Sequence, residues 1–159
     1  MESRERPPED ERAFELFYRD EYDGARRLAS VLTGSTTAAD DIAQDSMLRV
    51  ERKFARVSNP HAYLRVTVVN TSKNWARSQA RARGRDTAVA RERSTTALDL
   101  PLTDLDLIGR LPYRQRAVLV LRYWLDLSDH DAAVVLGCRI GTVRSLASRA
   151  LAQLRREMK

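Results

Sequence analysis

Apolar side chains recur three and four residues apart along much of the chain, which is the spacing of one buried face of an α-helix. The first such pattern covers residues 13–33, and Gly34 ends it because a residue without a Cβ turns readily into the left-handed conformation. No long stretch alternates apolar and polar residues as a strand would. The apolar positions of this predicted helix are Phe14, Phe17, Tyr18, Ala25, Leu28, Ala29 and Leu32.

Two further helices are predicted in the first half of the chain. The second begins near Thr37, which precedes Asp40 by three residues as in a capping box, and acids in a first turn suit the helix dipole. The third opens at Asn59, the predicted N-cap, followed by Pro60 at the first helical position. The inward positions are Ala39, Ile42, Ala43, Met47, Val50 and Phe54 in the second helix, and Tyr63, Leu64, Thr67, Val68, Thr71 and Trp75 in the third.

The helical periodicity is lost between about Gly84 and Pro101, where large apolar side chains are few. A polar, arginine-rich stretch of this kind cannot bury enough surface to fold alone, so it predicts a partly extended linker. The predicted fold class is therefore all-α, with two small helical domains joined by a flexible linker. The domains are assigned to residues 10–84 and 104–159, and the linker to residues 85–103.

Periodicity returns in the second domain, in shorter pieces. Pro112 interrupts a first pattern and starts a helix that runs to Trp124. Ser128 is the predicted N-cap of a short helix that Gly137 stops, and Thr142 lies near the start of the last helix. The apolar positions are Leu105, Leu107, Ile108, Leu111, Ala117, Val118, Leu121, Trp124, Val143, Leu146, Ala150, Leu151 and Leu154.

Composition removes several function classes. No apolar run approaches the roughly 20 residues of a membrane span, and the N-terminus has no apolar signal-peptide core. Cys138 is the single cysteine, so it forms no intrachain disulfide and is interpreted as a small buried hydrophobe rather than a redox sensor. His61 and His130 have no metal-spaced partners. We expect a cytoplasmic protein with no catalytic residues, no metal and no cofactor, and without membrane insertion.

The net charge of +6 is unevenly distributed. Seven bases and two acids give +5 between Lys73 and Arg93, and six bases and one acid give +5 between Arg139 and Lys159. Each basic segment closes a predicted helical domain, whereas acids cluster near Asp41 and Asp104. Such a run is often only a solvated face, but two of them favour a two-site contact with nucleic acid.

Residues 128–155 have the spacing of a helix-turn-helix: a short helix, a turn with Gly137, and a helix rich in Arg, Ser and Thr. The second helix is predicted to bury Val143 together with Leu146 or Ala147. Arginine can donate two hydrogen bonds to guanine or hold phosphates, and serine and threonine hold phosphates. An ordinary basic helical hairpin remains the alternative. The outward residues are Thr142, Arg144, Ser145, Ser148 and Arg149.

Two sets of motifs extend this pattern over nearly the whole chain. Residues 111–137, LPYRQRAVLVLRYWLDLSDHDAAVVLG, and 141–157, GTVRSLASRALAQLRRE, resemble region 4 of the extracytoplasmic-function group of bacterial RNA polymerase sigma factors. Residues 39–50, ADDIAQDSMLRV, are similar to region 2.2 of that group, and residues 69–77, VNTSKNWAR, to regions 2.3 and 2.4. The high Arg:Lys ratio resembles actinobacterial members. Leu146 and Ala147 depart from the commonest family pattern, which leaves the −35 sequence preference open.

The resemblance implies an alternative sigma factor that binds core RNA polymerase, through its β′ clamp and β flap, and promoter DNA. Family members are often held by an anti-sigma factor. By position, the family's core-binding residues correspond to Asp40, Asp41, Gln44 and Asp45. The −10 positions correspond to Asn59, Asn70, Thr71, Lys73, Asn74, Trp75 and Arg77, and the −35 positions to Arg139, Thr142, Arg144, Ser145, Ser148 and Arg149.

Three functions differ in how much of the chain they explain. A promoter-specificity subunit accounts for both halves. A stand-alone helix-turn-helix regulator needs only residues 104–159 and leaves residues 16–85 unexplained. An enzyme has no support, because the sequence shows no paired carboxylates, Cys/His set or glycine-rich loop that would form a catalytic centre.

Overall fold

Every regular element in the described part of the chain is helical, as predicted from the periodicity. The structure is a computed structural model that describes residues 8–83 and 102–158, with side chains from Leu105 onward in the second range. Most of the predicted linker and its acidic end at Asp104 lie outside the described residues or side chains. The elements are α1 (Pro8–Thr33), α2 (Thr36–Lys53), α3 (Pro60–Arg83), α4 (Leu102–Arg110), α5 (Tyr113–Leu119), a π-helical segment (Val120–Trp124), α6 (Asp129–Leu136) and α7 (Ile140–Glu157).

Helices α1, α2 and α3 pack on one another and form the N-terminal module. Most predicted inward positions are buried, including Leu32, Met47, Val50 and Val68, which are at most 1% exposed. Tyr18 is the exception in α1. Its side chain is 39% exposed and stacks on Tyr22 with ring centroids 5.1 Å apart, at the edge of the core.

Helix α2 begins at Thr36, close to the predicted start near Thr37, but its cap differs from the prediction. Ser35, rather than Thr37, is the N-cap, and its hydroxyl accepts a hydrogen bond from the amide of Ala38 at 3.1 Å. The first turn therefore contains no acid, and Asp40 and Asp41 lie in the second turn. The capping-box interpretation was wrong because Ser35 and Thr37 both satisfy the local preference, and only the turn after Gly34 decides between them.

Other helix ends follow the predicted local rules. Asn59 caps α3, since its Oδ1 accepts a hydrogen bond from the amide of Ala62 at 3.1 Å, and Ser128 caps α6 through the amide of Asp131. Gly34 and Gly137 have positive φ of 70° and 63°. At Gly137 the amides of residues 137 and 138 bond to the carbonyls of residues 134 and 133, which is a Schellman motif.

Three boundaries in the described chain were not predicted. Helix α4 begins at Leu102, inside the segment assigned to the linker, and α1 begins at Pro8, before the apolar pattern starts. The helix predicted from Pro112 to Trp124 is α-helical only to Leu119 and continues as a π-helical segment. These differences arise where side-chain periodicity is weak or where tertiary packing, rather than propensity, sets the backbone.

Helices α4 to α7 form the C-terminal module, which packs directly against the N-terminal module. The hydroxyl of Tyr113 donates a hydrogen bond to the carbonyl of Val69 at 2.7 Å. Arg116 donates to the carbonyl of Leu32 through Nη1, and through Nη2 to the carbonyls of Gly109 at 3.0 Å and Leu111 at 3.1 Å. The two modules therefore share one continuous core cluster and a junction built around α5.

Candidate nucleic-acid and protein interfaces

The helix-turn-helix consists of α6, the left-handed Gly137 and α7. Helix α7 buries Val143, Leu146 and Ala147 against α5 and α6, so both alternatives for its inward face are realised together. This burial leaves Arg144 exposed on the opposite side. The predicted inward face of α7 is confirmed, whereas of the five predicted outward residues only Arg144, Ser148 and Arg149 are exposed.

The six predicted −35 residues differ in exposure and in partners. Arg139, Arg144, Ser148 and Arg149 are exposed, whereas Thr142 and Ser145 are half-buried. Nη2 of Arg149 donates a hydrogen bond to the hydroxyl of Ser145 at 2.7 Å, one helical turn away. The structure therefore gathers these side chains along the outer side and the N-terminal end of α7.

The two ion pairs that Asp129 forms with Arg122 and Arg144, called the Asp129 bridge below, were not predicted. Asp129, the first residue of α6, lies 2.8 Å from Nε of Arg122 and 3.1 Å from Nε of Arg144. Neither Asp129 nor Arg122 was singled out from the sequence as a site residue. No pattern of neighbouring residues in the sequence signals this contact, because the three residues lie on the π-helical segment, α6 and α7.

The predicted −10 residues lie along the second half of α3. Asn70, Asn74 and Arg77 are exposed at positions i, i+4 and i+7, so they share one face of the helix. Lys73 and Thr71 are half-buried. The Thr71 hydroxyl is buried and has no hydrogen-bond partner in the structure. This arrangement places a polar, positively charged stripe on the side of α3 that is turned to solvent.

Three predicted −10 residues do not belong to that stripe: Thr71, with its buried hydroxyl, Trp75 and Asn59. Trp75 is half-buried and packs against the core cluster, as its predicted inward position in the third helix required. Asn59 caps the N-terminus of α3, about 16 Å along the helix axis from Asn70. The structure therefore does not bring Asn59 together with the other predicted −10 residues.

The predicted polymerase-binding residues lie on the exposed side of α2. Asp41 and Gln44 are exposed, while Asp40 lies 3.4 Å from Arg26 and Asp45 lies 3.1 Å from Arg49. Because none of these acids is in the first turn, helix-dipole stabilisation accounts for them poorly.

The exposed side of α2 also carries an apolar residue that was not predicted as part of a site. Leu48 is 52% exposed and lies one turn beyond Gln44, on the same side of the helix. Its position outside the predicted inward stripe of α2 was the signal that could have found it.

Metal and membrane sites are absent among the residues that the structure describes. No group of three or more His, Cys, Asp or Glu side chains is placed to hold a metal ion there. Cys138 is half-buried against the core. No described helix combines the length and apolar character of a membrane span.

Comparison with known proteins places both modules in one family. Residues 17–82 match the model described as Sigma-70 region 2, and residues 105–154 match Sigma-70, region 4. The RNA polymerase sigma-E factor of Streptomyces antibioticus is 32% identical over 152 residues, covering 91% of this chain and 84% of that protein. The ECF RNA polymerase sigma factor SigM of Mycobacterium tuberculosis is 30% identical over 155 residues, covering 92% and 78%.

The fold is also shared with solved structures. The sigma factor RpoE of Bartonella quintana, solved in complex with the anti-sigma factor NepR, superposes with a TM-score of 0.67 at 26% identity, over 91% of this chain and 95% of that one. CnrH, solved with the cytosolic domain of CnrY, gives 0.68 at 22% identity, over 93% and 88%. The chain therefore belongs to the extracytoplasmic-function group of bacterial RNA polymerase sigma factors.

Proposed function

We propose that this chain is an alternative sigma factor that binds core RNA polymerase in the cytoplasm and directs promoter-specific transcription initiation, without catalysing a reaction itself. The observation that supports this best is that one chain exposes polar, basic helix faces on two modules, on α3 and on α7. A promoter with separate −10 and −35 elements requires two such surfaces, whereas a stand-alone regulator would need only the second.

Helix α7 is proposed to read the −35 element as a duplex in the major groove. Arg144 and Arg149 are exposed arginines in its first three turns, and a guanidinium can pair with guanine O6 and N7 or hold a phosphate. Ser148 and Thr142 supply hydroxyls of the kind that hold phosphates and fix the register of the helix.

Helix α3 is proposed to hold the −10 element once the duplex opens. The amide side chains of Asn70 and Asn74 can hydrogen-bond to the edges of unpaired bases, and Arg77 and Lys73 can follow the phosphates. Arg81 and Arg83, exposed in the last turn of α3, extend the same positive surface.

The exposed side of α2 is proposed to bind the β′ clamp of core polymerase. Asp41, Gln44 and Leu48 together offer charge, a polar amide and an apolar contact, a combination that suits a basic partner surface. The C-terminal module is assigned to the β flap. The complex between RpoE and NepR supports regulation of this chain by an anti-sigma factor as well.

The −35 assignment is tested by transcription with core polymerase from promoters selected out of a library with randomised −35 and −10 elements. Arg144→Ala with Arg149→Ala should reduce transcription from the selected promoters by about tenfold or more, because each base contact contributes about 1–3 kcal/mol of discrimination. Arg155→Ala with Arg156→Ala is the matched control, since it removes the same charge from the exposed end of α7. Equal losses from both double variants would reject a specific role for the first pair.

The polymerase assignment has its own test. Charge reversal at Asp41 and Asp45 to lysine should weaken binding to core polymerase, while the same change at Asp20 and Asp23, exposed on α1, should not. Failure of the wild-type chain to co-purify with polymerase would instead favour a stand-alone regulator.

A further inference from the structure

The carboxylate of Asp129 forms ion pairs both within the helix-turn-helix and with the π-helical segment that precedes it. Asp129 Oδ1 lies 2.8 Å from Nε of Arg122, in the π-helical segment, and Oδ2 lies 3.1 Å from Nε of Arg144, in α7. The Asp129 and Arg122 side chains are 23% and 27% exposed, whereas the Arg144 side chain is 70% exposed. The bridge thus runs from a partly buried arginine to a solvent-facing one.

We propose that Asp129 is a positioning residue for Arg144 in −35 recognition, an inference that rests on the proposed role of Arg144. A hydrogen bond from Nε of Arg144 to Asp129 engages one of the five N–H groups of the guanidinium. The two terminal amino groups stay available, and their planar fork matches the O6 and N7 acceptors of guanine.

The benefit of such positioning is entropic and geometric. A free arginine side chain samples many rotamers and must lose that freedom when it binds a base. Asp129 restricts Arg144 before DNA arrives, and Arg122 restricts Asp129 in turn by pairing with its other oxygen. The carboxylate also places a negative charge beside the DNA-facing surface, which disfavours indiscriminate phosphate contacts and makes binding depend more on the base.

The test uses holoenzyme formed from core polymerase and the full chain, on promoter duplexes selected by the wild-type holoenzyme from a randomised −35 library. Binding is measured for the selected duplex and for every single-base change in its −35 element. Asp129→Asn is the main variant, because it keeps the shape and removes the charge. Asp131→Asn is the matched control: it removes the same charge from the first turn of α6, where Asp131 contacts only His130 among the ion pairs described.

Asp129→Asn should lower discrimination about five- to tenfold at the base pair where Arg144→Ala also lowers it, and should leave other positions within about twofold. Asp131→Asn should leave all positions within about twofold. In the Arg144→Ala background, Asp129→Asn should cause no further loss of discrimination. Asp129→Glu, which restores the charge, should recover part of the discrimination.

Several results would overturn the inference. A uniform change at all −35 positions, or a loss that persists without Arg144, would make Asp129 merely structural. Should Asp129→Asn fail to fold, Arg122→Gln tests the same bridge from its far end and should weaken discrimination at the same base pair. If Arg144→Ala changes no position, the −35 role of Arg144 itself is wrong, and this inference falls with it. If Arg144→Ala lowers base discrimination in the −35 element but Asp129→Asn and Arg122→Gln do not, the positioning role of Asp129 is wrong and the −35 role of Arg144 stands.

Discussion

The two modules reach a folded state by different means. The N-terminal module packs helices of 26, 18 and 24 residues over long apolar seams. The C-terminal module has helices of 9, 7, 8 and 18 residues, and several of its fully buried positions are alanine. Specific polar contacts supplement its apolar packing: the hydrogen bonds of Arg116 at the junction and the ion pairs of Asp129. The C-terminal module therefore contributes few large side chains to the shared core, and the geometry of its proposed DNA-binding face depends on a few polar contacts.

The largest change in stability should come from a substitution at a fully buried position of the C-terminal module. Leu121 is fully buried in the C-terminal module, and Leu121→Ala should cost about 2–5 kcal/mol, which approaches the whole stability of a domain of this size. Met47→Ala, at an equally buried site in the N-terminal module, should cost a similar amount but leave its helices folded. Hydrogen exchange resolved by segment checks this. Equal loss of protection in both modules after Leu121→Ala would mean that they unfold as one unit.

The junction should give the next largest effect. Arg116→Ala removes the donor to the carbonyl of Leu32 and to two carbonyls at the end of α4, and hydrogen bonds from a charged group contribute about 1.5–3 kcal/mol. We expect a loss of about 2 kcal/mol in urea unfolding and a larger radius of gyration in small-angle scattering. Arg114→Ala, at an exposed position on the same helix, should change neither by much. An unchanged radius of gyration in Arg116→Ala would show that the shared apolar contacts alone hold the modules together.

The turn of the helix-turn-helix allows a smaller and cleaner test. Gly137 has a φ of 63°, and apart from its chain neighbours no residue comes within 4 Å of the position that a Cβ would occupy, so Gly137→Ala should cost about 1–2 kcal/mol through backbone conformation alone. Gly141, the second residue of α7, also has open space around it but no left-handed backbone, so Gly141→Ala should stabilise by up to about 0.5 kcal/mol. Thermal unfolding of both variants checks the opposite signs. A stabilising Gly137→Ala would contradict the left-handed turn.

The sequence predicted what depends on neighbouring residues and missed what depends on distant ones. Asn59, Ser128 and Gly137 were assigned correctly because a cap or a left-handed turn is decided within four residues. The contact between Arg116 and the carbonyl of Leu32 joins residues 84 positions apart, so no local rule could find it.

The candidate site likewise contains features that neighbouring residues determine and features that depend on distant contacts. Helical spacing predicted the outward face of α7, since a single helix fixes it. Asn70 and Asn74 were singled out by the family resemblance, and both are exposed on α3. The bridge at Asp129 was missed because it needs α6, α7 and the π-helical segment to be placed together. Periodicity placed Trp75 on the inward face of α3 whereas the family resemblance placed it at the −10 element, and its packing against the core cluster agrees with the periodicity.

The smallest expected change in stability concerns the hydrogen bond from Tyr113 to Val69, which is the second polar contact of the junction. Its contribution to stability should depend on pH. Burial raises the pKa of the Tyr113 phenol, although the nearby Arg116 opposes this, and the hydroxyl donates to the carbonyl of Val69. Tyr113→Phe should therefore cost about 1 kcal/mol at neutral pH. Below the ordinary tyrosine pKa of about 10 the phenol is protonated in both states, so this contribution is constant.

Above that pH the unfolded chain loses the Tyr113 proton while the folded chain keeps it. The folded state then binds more protons, and the stability of the wild-type protein falls as pH rises. Tyr113→Phe should remove most of this pH-dependent loss of stability. The difference in unfolding free energy between the wild type and Tyr113→Phe should therefore shrink above about pH 10. Tyr18→Phe is the comparison in the N-terminal module, where burial and then Tyr22 raise the pKa of a partly exposed phenol, and it should flatten the curve less. Urea unfolding between about pH 7 and 11 measures both, and parallel curves for the wild type and Tyr113→Phe would contradict a buried phenol at the junction.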